Sequence, residues 1–170
     1  MTIHNEFPFP SGPYNPARRL RGMVSAPVSI WASGAGTERD GWTISSFLIA
    51  DGDPAELVAL VKDEADWWET FQETETAVVN LLGPGQGYLA DVFARVAPSP
   101  GGVFRSGEWD AVGHGPKLTG AAAWVGVRLA DTHPVHAGWG LLVRATVEWI
   151  EFADGVPLLE YRAGRYSSES

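Results

Sequence analysis

The chain has 170 residues and a formal net charge of −9, with 12 Lys and Arg against 21 Asp and Glu. That length predicts a single domain able to bury roughly 70% of its unfolded surface, and that charge argues against a nucleic-acid or anionic-membrane binder, since both recruit basic patches. With no Cys, disulfides, thiolate metal sites and cysteine nucleophiles are excluded, and the cytoplasm is the expected compartment.

Residues 1–13 are polar and Pro-rich without the basic flank and apolar run of a secretory signal, so an arm is expected there. A domain is expected over 14–166, and a Ser-rich tail over 167–170. Val24, Val28, Ile30 and Trp31 predict a strand from Met23 to Ser33, and Trp42, Ile44, Phe47 and Ile49 predict another from Gly41 to Ala50. Asp40-Gly41 between them carries residues that tolerate positive φ, the signal of a hairpin turn. Asp51-Gly52-Asp53-Pro54 opens a third strand, Leu57 to Val61, and Thr76 to Leu82 is a fourth.

Between these two, Trp67, Trp68 and Phe71 stand at helical spacing beside an acidic face, which predicts an amphipathic helix over Ala65 to Glu73. The breaker run Gly83-Pro84-Gly85-Gln86-Gly87 lacks the Lys and Ser/Thr of a phosphate loop and reads as a turn. A second helix follows over Tyr88 to Val96, with Leu89, Val92 and Phe93 on one side. Pro98 to Pro116 reads as loop, and Leu118 to Leu129 and Gly138 to Phe152 as the longest strands. Asp154-Gly155 turns the chain into a last strand, Val156 to Tyr161. The most apolar stretch, Leu118 to Ala130, is interrupted by Arg128 and is shorter than the roughly 20 residues that cross a bilayer, so no membrane span is expected. About seven strands interrupted by two helices, punctuated by 20 Gly and 12 Pro, favour a closed or half-open antiparallel barrel over a parallel doubly wound sheet.

Few residues point to chemistry on their own. His133 and His136 flank Pro134, which keeps them off one helix face, and no third ligand is near in sequence, so no metal site is expected. His114, between two glycines, reads as a loop residue. No Ser-His-Asp order accompanied by a nucleophile elbow is present. Asn80, near the end of an apolar strand, must hydrogen-bond either a ligand or neighbouring backbone.

Several segments recur in a recognisable order: Gly22, then Ala26-Pro27-Val28-Ser29-Ile30-Trp31, Gly41-Trp42-Thr43-Ile44-Ser45-Ser46-Phe47 and Asp53-Pro54. They continue with Ala77-Val78-Val79-Asn80-Leu81-Leu82, Leu89-Ala90-Asp91-Val92-Phe93-Ala94 and Pro157-Leu158-Leu159-Glu160-Tyr161. Over about Arg18 to Tyr166 the chain thereby resembles the flavin reductase-like family of FMN-binding split barrels. The resemblance implies a mainly β fold, an antiparallel Greek-key split β-barrel, assembled as a homodimer with flavin near the interface. It implies an oxidoreductase that transfers hydride from NAD(P)H to FMN or FAD and supplies reduced flavin to a monooxygenase. The alternative is a non-catalytic protein that holds a flavin or another flat ligand on the same fold.

Within that resemblance, Thr43, Ser45 and Ser46 are expected to donate to the O4 and N5 edge of the flavin ring, with Trp31, Trp42 and Phe47 as apolar walls. Asn80 is a further candidate contact. Many members present Ser, Thr or a basic residue to the flavin phosphate where this chain has Lys62-Asp63-Glu64-Ala65-Asp66-Trp67. Lys62 remains as a contact, and Arg18, Arg19 and Arg21 are candidates to offset the acids. Many members also carry Gly-Asp-His near the nicotinamide, where Gly138-Trp139-Gly140 stands here, so Trp139 is expected to stack on flavin or block nucleotide access, with His136 as a neighbour. No catalytic residue is named, because the hydride chemistry belongs to the cofactors.

Overall fold

The computed structural model describes residues 15–168, so the arm expected over 1–13 lies outside the described residues. The described chain opens with α1 (Pro16–Met23), whose Asn15 cap accepts the N–H groups of Ala17 and Arg18 at 3.0 and 3.2 Å, with Pro16 in the first turn. The strand expected from Met23 is therefore shorter: β1 (Ala26–Pro27) and β2 (Ser29–Ser33) follow the helix. The hairpin signal at Asp40-Gly41 is also displaced. The turn is a 3-10 segment at Gly36–Glu38, and Asp40-Gly41 already belongs to β3 (Asp40–Ile44).

The second expected strand divides at Ser45-Ser46 into β3 and β4 (Phe47–Ala50), and β5 (Glu56–Val61) pairs with β4. α2 (Asp66–Thr74) and β6 (Thr76–Leu81) come next, then α3 (Gly87–Phe93). The segment read as loop contains a hairpin, β7 (Trp109–Val112) and β8 (Gly115–Leu118). β9 (Ala123–Leu129), β10 (Val135–Ala137) and β11 (Gly140–Phe152) complete the main sheet. The last strand is displaced from Val156–Tyr161 to β12 (Glu160–Arg162), which turns into β13 (Arg165–Ser167) at the start of the expected tail. No helix among the described residues is long and apolar enough to cross a membrane.

The main antiparallel sheet has the order β3-β2-β6-β9-β11-β5-β4, with β10 added beside the start of β11. β3 and β4 are consecutive in the chain yet occupy opposite edges, so the sheet must curl until those edges meet at Ser45-Ser46. The result is a half-barrel, the split-barrel fold. Inside the curl, Trp31 meets Trp67 edge-on at 5.9 Å, and Trp67 stacks on Phe71 at 5.1 Å. Their indole N–H groups are fully buried and need acceptors. Ser29 Oγ takes that of Trp31 at 3.0 Å and Ser33 Oγ that of Trp67 at 3.1 Å. A second core on the outer face joins Val28, Ile30 and Leu82 to α3 through Val92 and Phe93, and to β8 through Leu118.

The β7–β8 hairpin is latched to β11 at a bulge between Val147 and Trp149. The Trp149 indole lies across Gly126 and donates to His114 Nδ1 at 3.1 Å, which leaves His114 Nε2 facing Glu148 at 2.8 Å. A Cβ on Gly126 would stand 2.1 Å from Trp149 Nε1, so Gly126→Ala must displace the indole. We expect a loss of about 1–3 kcal/mol in urea unfolding; unchanged stability would show the latch to be dispensable. The His114 and Arg128 side chains hold the Glu148 carboxyl below its ordinary range. A depressed carboxylate stabilises above the unfolded value of about 4.3 and loses that contribution as pH falls through its folded value. The stability gap between wild type and Glu148→Gln should therefore narrow as pH drops from about 5 to about 3, read from urea midpoints; a gap constant with pH would contradict it.

Candidate functional site

The corner between β3 and β4 is where the sheet's two edges converge, and it carries the hydroxyl residues picked out in the sequence. Register divides them. Thr43 pairs with Ile30 and so faces the outer core, where its hydroxyl donates to Ala90 O of α3 at 2.6 Å. Ser45 and Ser46 lie beyond the end of β3, half-buried, and neither hydroxyl has a hydrogen-bond partner among the described residues. Ser46 O accepts the Leu60 N–H at 2.9 Å, which fixes the corner against β5.

β5 then delivers Lys62 to the same rim. Leu141 pairs with Val61, so the next position after Val61 lies opposite Gly140, at the mouth of the β10–β11 hairpin. Trp139 occupies the tip of that hairpin and is 81% exposed. His136 pairs with Leu141 one strand further on and is also exposed. The fold thus brings together Ser45, Ser46, Lys62, Trp139 and His136, which come from three separate parts of the sequence. Leu48, Leu60 and Val135, on the neighbouring strands β4, β5 and β10, are exposed apolar side chains.

Three other candidates serve the interior. Trp31 is fully buried against Trp67 and Phe71, so it is a core residue and not a pocket wall. Phe47 is buried in the same cluster beneath the corner. Asn80 is fully buried and its amide is consumed by backbone. Its Nδ2 donates to Ile30 O, Val78 O and Pro116 O at 3.1–3.3 Å, and its Oδ1 accepts from Leu118 N at 2.8 Å. That amide ties β2, β6 and β8 together, one of the two roles its burial required.

The turn after β5 is acidic. Lys62 O accepts the Ala65 N–H at 3.1 Å, closing a tight turn into α2. Asp66 and Glu69 occupy the first turn of α2, where carboxylates complement the exposed N–H groups and helix dipole. Asp63 and Glu64 are exposed beside them. Sequence reading overlooked Arg162 and Arg165, which flank the two-residue turn of the β12–β13 hairpin. The signal available was the Ala163-Gly164 pair between two arginines, whose backbones both take positive φ.

A sequence model described as the flavin reductase like domain matches residues 20–170 of this chain. The FMN reductase (NADH) RutF of Enterobacter cloacae is 30% identical over 115 residues, which covers 67% of this chain and 70% of the relative. Among solved structures, the Streptomyces globisporus NADH:FAD oxidoreductase SgcE6 superposes with a TM-score of 0.80 at 21% identity, over 95% of this chain and 99% of the other. The styrene monooxygenase flavin reductase of Pseudomonas putida does so with a TM-score of 0.78 at 19% identity, over 92% and 98%. With its domain model matched from α1 to the C-terminus, and with the curled sheet that these structures share, the chain belongs to the flavin reductase-like domain family.

Proposed function

We propose that this protein is an NAD(P)H-dependent flavin reductase, a cytoplasmic homodimer that binds FMN or FAD at the Ser45-Ser46 corner and supplies reduced flavin to a partner monooxygenase. The observation that carries the reading is the pairing of two hydroxyls, unpartnered among the described residues, with an exposed indole on one rim. A flavin ring has a polar edge that needs donors and two flat faces that need stacking partners, and this donor set matches both needs. Support also comes from the 30% identical relative named FMN reductase (NADH), and from the fold shared with a styrene monooxygenase flavin reductase.

When bound, the flavin supplies the redox chemistry by accepting hydride from the reduced nicotinamide. The chain's own residues supply position. Ser45 and Ser46 direct O–H and N–H groups at the ring's heteroatom edge, and their half-burial keeps part of the surrounding water away. Phe47 forms apolar support beneath the corner without itself being exposed. Trp139 offers a face large enough to order a ring above the rim, and Lys62 places a cation beside it. His136 stands one strand further out, within the area a nicotinamide nucleotide would cross. Thr43, Trp31 and Asn80 are left out of the contact set, since their polar atoms already serve the fold.

The rim also supports the homodimer. Leu48, Leu60 and Val135 are 73%, 43% and 65% exposed, and the outward edge of β4 has no strand partner among the described residues. Exposed apolar side chains next to an unpaired edge favour coverage by a second copy.

The test is to record the visible spectrum of the purified protein and then its NADH and NADPH oxidation with added FMN or FAD. Flavin-dependent oxidation is expected. Bound flavin without nucleotide oxidation would replace the reductase by a non-catalytic flavin-binding protein. Replacing Ser45 and Ser46 together by Val removes two donors worth about 0.5–1 kcal/mol each, so flavin affinity should fall about fivefold to thirtyfold. The indole-rich core should give an unchanged near-ultraviolet circular dichroism spectrum. Unaltered affinity in this folded variant would remove the corner from the site.

A further inference from the structure

Five of the 12 Lys and Arg residues stand on one small unit at the edge of the molecule: Arg18, Arg19 and Arg21 on α1, and Arg162 and Arg165 on the β12–β13 hairpin. Backbone bonds hold the unit together. β1 pairs with β12 through Ala26↔Tyr161 and Pro27↔Glu160, and Ala163 N–H donates to Gly22 O at 2.7 Å. Tyr166 then fastens the hairpin to α3 by donating to Asp91 Oδ1, with its ring packed where a Cβ on Gly87 would stand. Arg18, Arg21, Arg162 and Arg165 are all exposed and none makes an ion pair among the described residues. Glu160 is the single carboxylate within the helix and strands of this unit.

The unit is continuous with the flavin corner. Val28 N–H donates to Leu159 O, and Ser29 pairs with Ile44, so the position beside Val28 on the neighbouring edge is Ser45. From the Ala26↔Tyr161 register, Arg162 lies three residues, about 10 Å, along the strands from Val28. On the opposite side of the corner stands the Lys62 turn, where Asp63, Glu64 and Asp66 outnumber one cation. A phosphate dianion placed there would face three carboxylates. Placed over α1 and the hairpin, it would face guanidinium forks that match phosphate oxygens in pairs.

We propose that the phosphate of the bound flavin nucleotide is held by the arginine cluster of α1 and the β12–β13 hairpin, and not by the Lys62–Asp66 turn. The inference rests on the flavin reading above and adds the direction in which the ligand lies: ring at Ser45-Ser46, phosphate toward Arg162 and α1. It also accounts for the acidic turn, which is free to complement the start of α2 because no phosphate sits on it.

The experiment titrates riboflavin and FMN, which differ by the phosphate, into the full chain. Four proteins are compared: wild type, Arg18→Ala with Arg21→Ala, Arg162→Ala with Arg165→Ala, and Lys62→Ala. Wild type should favour FMN over riboflavin, and each arginine pair should reduce that preference about tenfold while leaving riboflavin affinity unchanged. Lys62→Ala should keep the preference. Gln in place of Ala at the same positions preserves side-chain length and serves for any pair whose Ala form no longer holds riboflavin. The proposal is overturned if the arginine variants retain the wild-type preference, if Lys62→Ala abolishes it, or if the arginine variants weaken only NADH or NADPH. Wild type that binds neither flavin would instead overturn the functional reading on which this one rests.

Discussion

The structure depends on one topological constraint: β3 and β4 follow each other in the chain and yet stand at the two opposite ends of the strand order of an eight-stranded sheet. Only a strongly curled sheet can satisfy that order, and the residues joining its edges must leave the hydrogen-bond ladder there. Ser45 and Ser46 are those residues. A corner at which backbone leaves a ladder exposes N–H and C=O groups that would be costly in a dry interior, so it belongs at an accessible rim. The feature that closes the half-barrel therefore also leaves two half-buried hydroxyls, Ser45 and Ser46, without partners among the described residues at its rim. Fold and candidate site are two consequences of a single connection.

Serine plays opposite parts on the two sides of that corner. Ser29 and Ser33 on β2 are fully buried because each accepts an indole N–H, from Trp31 and Trp67, that could find no water inside the curl. Ser45 and Ser46, a strand away, accept no indole N–H, and their hydroxyls have no partner among the described residues. The tryptophans thus determine which hydroxyls are structural and which are available. Thr43 is settled by register, because its position opposite Ile30 turns it toward α3.

Much of the architecture was legible because its signals are local. The spacing of Trp67, Trp68 and Phe71 identified α2 to within a residue at each end, and the alternation from Val143 onward identified β11. Signals that depend on distant partners were not legible. The Gly41-to-Ala50 segment reads as one apolar strand, since nothing local states that its halves pair with different neighbours. The 98–116 loop hid the β7–β8 hairpin because the amide that pins it, Asn80, lies on β6. α1 was missed because an eight-residue helix rich in Arg, with no buried residue, has no core-facing stripe to detect. Within the candidate site, Ser45, Ser46 and Lys62 stood out in the sequence by type, but the placement of Lys62 beside the β10–β11 hairpin follows from the Leu141↔Val61 register alone.

Net charge illustrates the same limit in electrostatics. A total of −9 argues correctly against a protein basic over its whole surface, yet a sum carries no positions. Residues 18–21 and 162–165 are near opposite ends of the sequence, and the β1–β12 pairing and the Ala163 N–H to Gly22 O bond join their segments into one unit. The acids concentrate elsewhere, on the exposed start of α2, where helix N–H groups already favour them. The two flanks of the Ser45-Ser46 corner consequently differ in sign. On the proposed reading, an elongated ligand with a flat neutral ring and one anionic end would meet an environment that distinguishes its ends, with its ring at the corner between the flanks.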